Sequence, residues 1–143
     1  MRGAIAAGTV VLMIGVAALP VNGQSQKAPA GVKTVATVGE IMKIMTIPFS
    51  NAVFEAGGEA PKDDKGWEAV RDQAVALAEA GNLLMIGTRV KDRAAWLKFS
   101  RAQVDAAEAV AKAAAAKNAD QLSTAADTLY ETCASCHKVY LPK

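Results

Sequence analysis

The chain is poor in the side chains that most often bind metals or form disulfides. Its 143 residues include two cysteines and one histidine. All three lie in one run, Cys133-Ala134-Ser135-Cys136-His137. A structural zinc site usually needs four cysteine or histidine ligands, so the sequence offers too few. A disulfide between thiols three residues apart would close too short a loop to stabilise the fold much.

The sequence also lacks an excess of charge of either sign and any pattern typical of β-strands. Its 16 basic and 14 acidic residues give a formal net charge of +2. This near-balance gives no reason to propose nucleic acid or an anionic membrane as a partner. No Asn-Gly hairpin, strand-like alternation or internal repeat is present, so an all-α fold is expected.

Apolar residues recur at helical spacing in four segments, and the connections between these segments are short. We expect the first to kink at Pro48, which removes a backbone donor but does not interrupt the apolar face. The second should end at Gly81-Asn82, and Asn118 should cap the fourth. The pattern predicts an antiparallel four-helix bundle. The approximate ranges are 32–56, 64–80, 92–117 and 118–141.

The Cys-x-x-Cys-His run is the attachment signature of c-type haem. Each thiol adds to one vinyl group of the porphyrin, and His137 supplies an axial nitrogen to the iron. Cys133 and Cys136 are one helical turn apart, on the same apolar stripe as Leu129, so we expect the haem inside the bundle. A thioredoxin-like redox pair would instead need the motif at the start of a helix.

The N-terminus resembles a secretory signal. One basic residue, Arg2, precedes an apolar run over residues 4–19, and small residues follow, so cleavage is expected after Gly23. An uncleaved anchor is the alternative, but the run is shorter than the ~20 residues of a spanning helix. We therefore expect a signal peptide over 1–23, one domain over 24–143 and a periplasmic location, which suits covalent haem.

A four-helix bundle with this motif at its C-terminal end resembles the class II c-type cytochromes, the cytochrome c prime family. The resemblance covers residues 24–143. It extends to Pro48 in the first helix, to Trp67 and Trp96 opening the second and third, and to the residues 129–131 and 140–142 around the motif. It implies one covalent haem c and transient exported or membrane-bound redox partners. Family members often dimerise through helices one and two.

The sixth iron ligand decides what such a protein does. The chain has no second histidine, so methionine is the leading candidate. The resemblance places Met42 at the ligand position of low-spin family members, with Met45 as the second choice. Met1 and Met13 leave with the signal, and Met85 follows the second helix. The alternative is that both helix-one methionines only fill gaps in the core.

Ligation by His137 and Met42 would close both axial positions and predicts a one-electron carrier rather than an enzyme. An open sixth position would instead predict a five-coordinate haem that binds nitric oxide or carbon monoxide, as a gas trap or sensor. Peroxidase activity is disfavoured because no distal histidine is available as an acid–base catalyst.

Overall fold

The computed structural model describes residues 31–141, and all regular structure in this range is helical. The elements are α1 (Val38–Ile41), a π-helical turn (Met42–Thr46), α2 (Ile47–Gly58), α3 (Asp64–Leu84), a 3₁₀ turn (Gly87–Arg89), α4 (Arg93–Ala115) and α5 (Ala119–Tyr140). α1, the π turn and α2 follow one another without a break and form the first of four helices.

The helices pack as a bundle in which α3 lies against α4, α4 against α5, and α2 against both α3 and α5. Short connections between consecutive helices make these neighbours antiparallel. The predicted all-α four-helix bundle is confirmed. The predicted signal peptide over 1–23 lies outside the described residues. Between residues 31 and 141, no helix is both long enough and apolar enough to cross a membrane.

Side-chain caps fix where the helices begin. The carboxylates of Asp63 and Asp92 accept from the backbone N–H three residues on, at 2.8 and 3.1 Å, and the Asn118 amide oxygen does the same at 2.9 Å. The predicted starts of the last three helices are therefore confirmed.

The first helix starts at Val38, so the predicted start near residue 32 is wrong. Thr37 and Glu40 form a capping box that fixes this start. The Thr37 hydroxyl accepts from the Glu40 N–H at 3.2 Å, and Glu40 Oε2 accepts from the Thr37 N–H at 2.7 Å.

α3 continues through Gly81 to Leu84, so the predicted end at residue 80 is also wrong. A Cβ built at Gly81 would lie 2.8 Å from Val104 Cγ2 and 3.3 Å from the Ser100 carbonyl oxygen. The glycine therefore lets α3 and α4 approach closely and does not end the helix.

The first helix does continue through Pro48, as the apolar pattern predicts, and its irregularity is the π turn. The Ile47 N–H donates to the Met42 carbonyl, five residues back. Pro48 supplies no N–H of its own at the start of α2. A wider turn directly before a proline relieves the crowding between the ring and the preceding carbonyls.

Two hydrophobic clusters form the interior. The larger, here called the alanine-rich cluster, fills the centre and the end away from the Cys-x-x-Cys-His motif. Its buried members are Val53, Ala56, Trp67, Val70, Ala74, Leu77, Ala78, Ala106, Ala107, Val110, Ala113, Ala114, Leu122, Ala125, Ala126 and Leu129.

The smaller cluster, here called the methionine cluster, lies at the opposite end. Ile41, Ala80, Leu84 and Trp96 are buried there, and the half-buried residues Ala36, Val38, Met42, Met45, Leu83, Val90, Leu97 and Tyr140 pack against them.

Candidate functional site

The last two turns of α5 hold Cys133, Cys136 and His137. Both thiols are free and half-buried, whereas the imidazole is exposed. Leu129, one turn earlier on the same stripe, is fully buried. The thiols therefore lie at the margin of the core rather than in its centre, so the predicted interior position applies to them only in part.

Both thiols are held in the protonated form. Burial raises the pKa of Cys133 above its ordinary value. Burial, and then the neighbouring Cys133, raise the pKa of Cys136. Their place near the negative C-terminal end of a helix also disfavours a thiolate. A thioredoxin-like pair needs a lowered thiol pKa at a helix N-terminus, so this arrangement does not suit that chemistry.

Aromatic contacts fix the backbone on both sides of the motif. Before it, Tyr130 meets Phe54 of α2 edge to face, with ring centroids 5.9 Å apart. After it, Tyr140 packs against Trp96 at 4.9 Å and Phe99 at 6.1 Å, both in α4. Such contacts stabilise beyond the area that they bury. The motif therefore lies on a helical segment anchored to two neighbouring helices.

A hydrogen bond joins the end of α5 to the start of α4. The Tyr140 hydroxyl donates to Asp92 Oδ2, while Asp92 Oδ1 caps α4. This bond raises the pKa of Tyr140 to about 12. It lowers the pKa of Asp92 below its ordinary value. One carboxylate thus sets both the start of α4 and the position of the last turn of α5.

The two candidate distal ligands lie at the same end of the bundle as the motif. Met42 and Met45 are half-buried in the π turn and pack against the methionine cluster, which Tyr140 also contacts. Tyr140 is one turn beyond His137. The structure therefore brings the first helix and the end of α5 to one cluster, and both methionines share the same surroundings there.

Thr46, beside Met45 in the π turn, carries an unsatisfied polar atom. Its side chain is 6 % exposed, and its hydroxyl has no hydrogen-bond partner among residues 31–141. Burying a donor without a partner costs about 1–3 kcal/mol. The π turn therefore combines an irregular backbone with a buried hydroxyl that has no partner among residues 31–141.

Within residues 31–141, no three His, Cys, Asp or Glu side chains converge to hold a metal ion. Haem iron needs fewer protein ligands, because the porphyrin supplies four nitrogens. The His137 imidazole forms no hydrogen bond to residues of this range, so neither ring nitrogen is committed to a partner there.

Three features of this end were missed by sequence reasoning: the unsatisfied Thr46, the contact between Asp92 and Tyr140, and a buried Arg89. A threonine in a helix and a tyrosine on an apolar stripe are ordinary patterns, so neither gave a signal. Arg89 stands alone after an apolar connection, which is a weak sign of a structural role.

Comparison of the chain with known protein families, with curated proteins and with solved structures found no match.

Proposed function

We propose that this protein is an exported monohaem c-type cytochrome that carries single electrons between exported or membrane-bound redox proteins. One observation supports this most strongly. Two protonated, unpaired thiols and the chain's single histidine occupy the last turns of α5, at the end of the bundle where two methionines pack. This combination of residues matches what covalent haem attachment and axial ligation require.

The two cysteines would hold the cofactor covalently. Each S–H would add across a vinyl carbon–carbon double bond, with sulfur bonding to one carbon and the hydrogen to the other. Cys133 and Cys136 are slightly less than one helical turn apart, about 4.5 Å along the helix axis. Both thiols therefore face nearly the same side. Because both are half-buried, they are reachable from outside while they adjoin the apolar interior.

His137 and Met42 would supply the two axial ligands, with Met45 as the second choice for the distal position. Haem, when bound, supplies an iron that gains and loses one electron reversibly. A thioether ligand favours the reduced state relative to a second histidine. The anchoring of α5 through Tyr130 and Tyr140 would keep the imidazole in place when the iron gains an electron and when it loses one.

The two methionines form a matched pair for testing the distal ligand. Met42→Leu and Met45→Leu conserve volume, so each should cost less than about 1.5 kcal/mol of stability. We expect Met42→Leu to abolish the sulfur-to-iron charge-transfer band of the oxidised protein and to make the iron high-spin. Met45→Leu should leave both the band and the spin state unchanged.

The reverse result would assign the ligand to Met45 and correct the choice within the same proposal. If both variants keep the wild-type spectrum, neither methionine is the ligand. If the wild-type protein is itself high-spin and binds carbon monoxide, the electron-carrier proposal fails, and a five-coordinate gas-binding haem replaces it.

A further inference from the structure

A cavity of about 410 Å³ lies beside the start of the first helix. Its walls are the chain leading into α1 and the residues around the 3₁₀ turn. No residue of α5 and neither candidate methionine lines it, although Ala36 and Val38 of its wall also pack in the methionine cluster. The lining residues are Thr34, Val35, Ala36, Thr37, Val38, Gly39, Thr88, Arg89 and Lys91.

Arg89 brings a buried positive charge to this cavity. The residue is 7 % exposed, and its guanidinium donates to two neutral acceptors. Nε donates to the Ala36 carbonyl at 2.8 Å, and Nη1 donates to the Leu83 carbonyl at 3.0 Å. Among residues 31–141 it has no carboxylate partner. Burying a charge without an opposite charge is costly, and the carbonyls at the end of α3 offset only part of that cost.

One nitrogen of the Arg89 guanidinium is left without a partner. Nη2 has no hydrogen-bond partner among the described residues. In that range Thr46 Oγ1 is the one fully enclosed side-chain polar atom without a partner, so Nη2 is not sealed from its surroundings. Arg89 is also one of the residues that line the cavity.

Other groups on the cavity wall favour an anion. Lys91 is exposed, and the hydroxyls of Thr34 and Thr88 make no hydrogen bond within residues 31–141. Glu40, next in the chain after Gly39, does not line the cavity, and its carboxylate already accepts two hydrogen bonds from Thr37, at 2.7 and 2.8 Å. The lining residues therefore carry two cations and no carboxylate.

We propose that this cavity binds a small oxyanion, a carboxylate or a phosphate. Arg89 Nη2 and the Lys91 ammonium supply the charge, and the two threonine hydroxyls complete the donors. Nη2 carries two N–H groups, and hydrogen bonds from a guanidinium to a carboxylate or a phosphate are strengthened by charge. The cavity is also large enough to hold either anion together with water.

The test is calorimetric titration of the full chain as purified, whatever its haem content, with inorganic phosphate and, separately, with acetate, at constant ionic strength. We expect saturable binding of at least one anion. The anion that binds more tightly shows whether the cavity prefers a phosphate or a carboxylate. Lys91→Met should weaken that binding about fivefold. Lys98→Met, which removes an exposed lysine of α4 that does not line the cavity, should leave binding unchanged.

Arg89→Met should abolish binding, provided that circular dichroism shows that the variant folds without the bonds to Ala36 and Leu83. If Arg89→Met does not fold, the comparison of Lys91→Met with Lys98→Met still tests the proposal. The proposal is overturned if neither anion binds saturably, or if Lys91→Met and Lys98→Met behave alike. Because the optical spectrum of each sample reports its haem content, this result is independent of the proposed electron-carrier function.

Discussion

The two ends of the bundle are built differently. The alanine-rich cluster consists of aliphatic side chains on regular helices, apart from Trp67, and none of its side chains carries a fully enclosed polar atom without a partner among residues 31–141. The methionine cluster adjoins a π turn, the buried Arg89 and the unpartnered Thr46 hydroxyl. Natural sequences tend to break local rules where they function. The contrast indicates that one end stabilises the fold and the other holds the candidate ligands.

The largest effect is expected at the motif, on the amount of covalently bound haem. Replacing both thiols, by Cys133→Ala and Cys136→Ala together, should eliminate covalently bound haem because no other cysteine exists. Mass spectrometry of the denatured chain would measure this. Ser135→Ala, between the two cysteines, is the control and should retain the porphyrin mass. Covalent haem in the double variant would contradict the assignment.

An intermediate effect is expected in the alanine-rich cluster. Val110 is fully buried in α4, whereas Val75 is 45 % exposed in α3. Val110→Ala should lower the free energy of unfolding by about 2 kcal/mol, from lost burial and a small cavity. Val75→Ala, the same chemical change, should stay within about 0.5 kcal/mol. Urea unfolding would measure both.

Neither valine substitution should change the haem spectrum, because Met42 and Met45 pack against the other cluster and no residue of the motif belongs to the alanine-rich cluster. A shifted spectrum in Val110→Ala at full occupancy would show that the two ends are coupled. The assignment of stability to one end and cofactor chemistry to the other would then be wrong.

The smallest expected effect is a pH dependence of stability caused by the contact between Tyr140 and Asp92. The pKa of Tyr140 is raised from 10.0 to about 12 in the folded chain, so its contribution is present below pH 10 and is lost as the pH rises toward 12. The pKa of Asp92 is lowered from 3.8, so its contribution is present above that pH and is lost as the pH falls through the folded value.

Tyr140→Phe should therefore reduce the melting temperature most between pH 4 and 10, and the difference from wild type should shrink toward both extremes. Tyr130→Phe is the control, since that hydroxyl has no hydrogen-bond partner within residues 31–141. Equal melting-temperature profiles for the wild type and Tyr140→Phe would show that the hydrogen bond contributes nothing in solution.

Most features set by neighbouring residues were predictable, although the capping box of Thr37 and Glu40 was missed, and features set by packing between helices were not. The caps at Asp63, Asp92 and Asn118 act over three residues, so the sequence indicates them directly. Gly81 has the pattern of a helix end, yet its role depends on Val104 in the next helix. No local pattern distinguishes a glycine that ends a helix from one that admits a neighbour.

The candidate site divides in the same way. Cys133, Cys136 and His137 lie within five consecutive residues, so spacing alone predicts the cofactor. The place of Met42 and Met45 in a π turn depends on how the helix accommodates Pro48, and proline alone does not predict that geometry. Isolated residues without a repeating pattern, such as Arg89, show their surroundings only once the fold is known.

The most direct test of the central claim is an optical spectrum of the full-length protein, oxidised and reduced, before and after carbon monoxide is added. Ligation by His137 and a methionine predicts a low-spin spectrum in both states, a sulfur-to-iron charge-transfer band when oxidised, and no change with the gas. A high-spin reduced spectrum that shifts on addition of carbon monoxide would contradict the account.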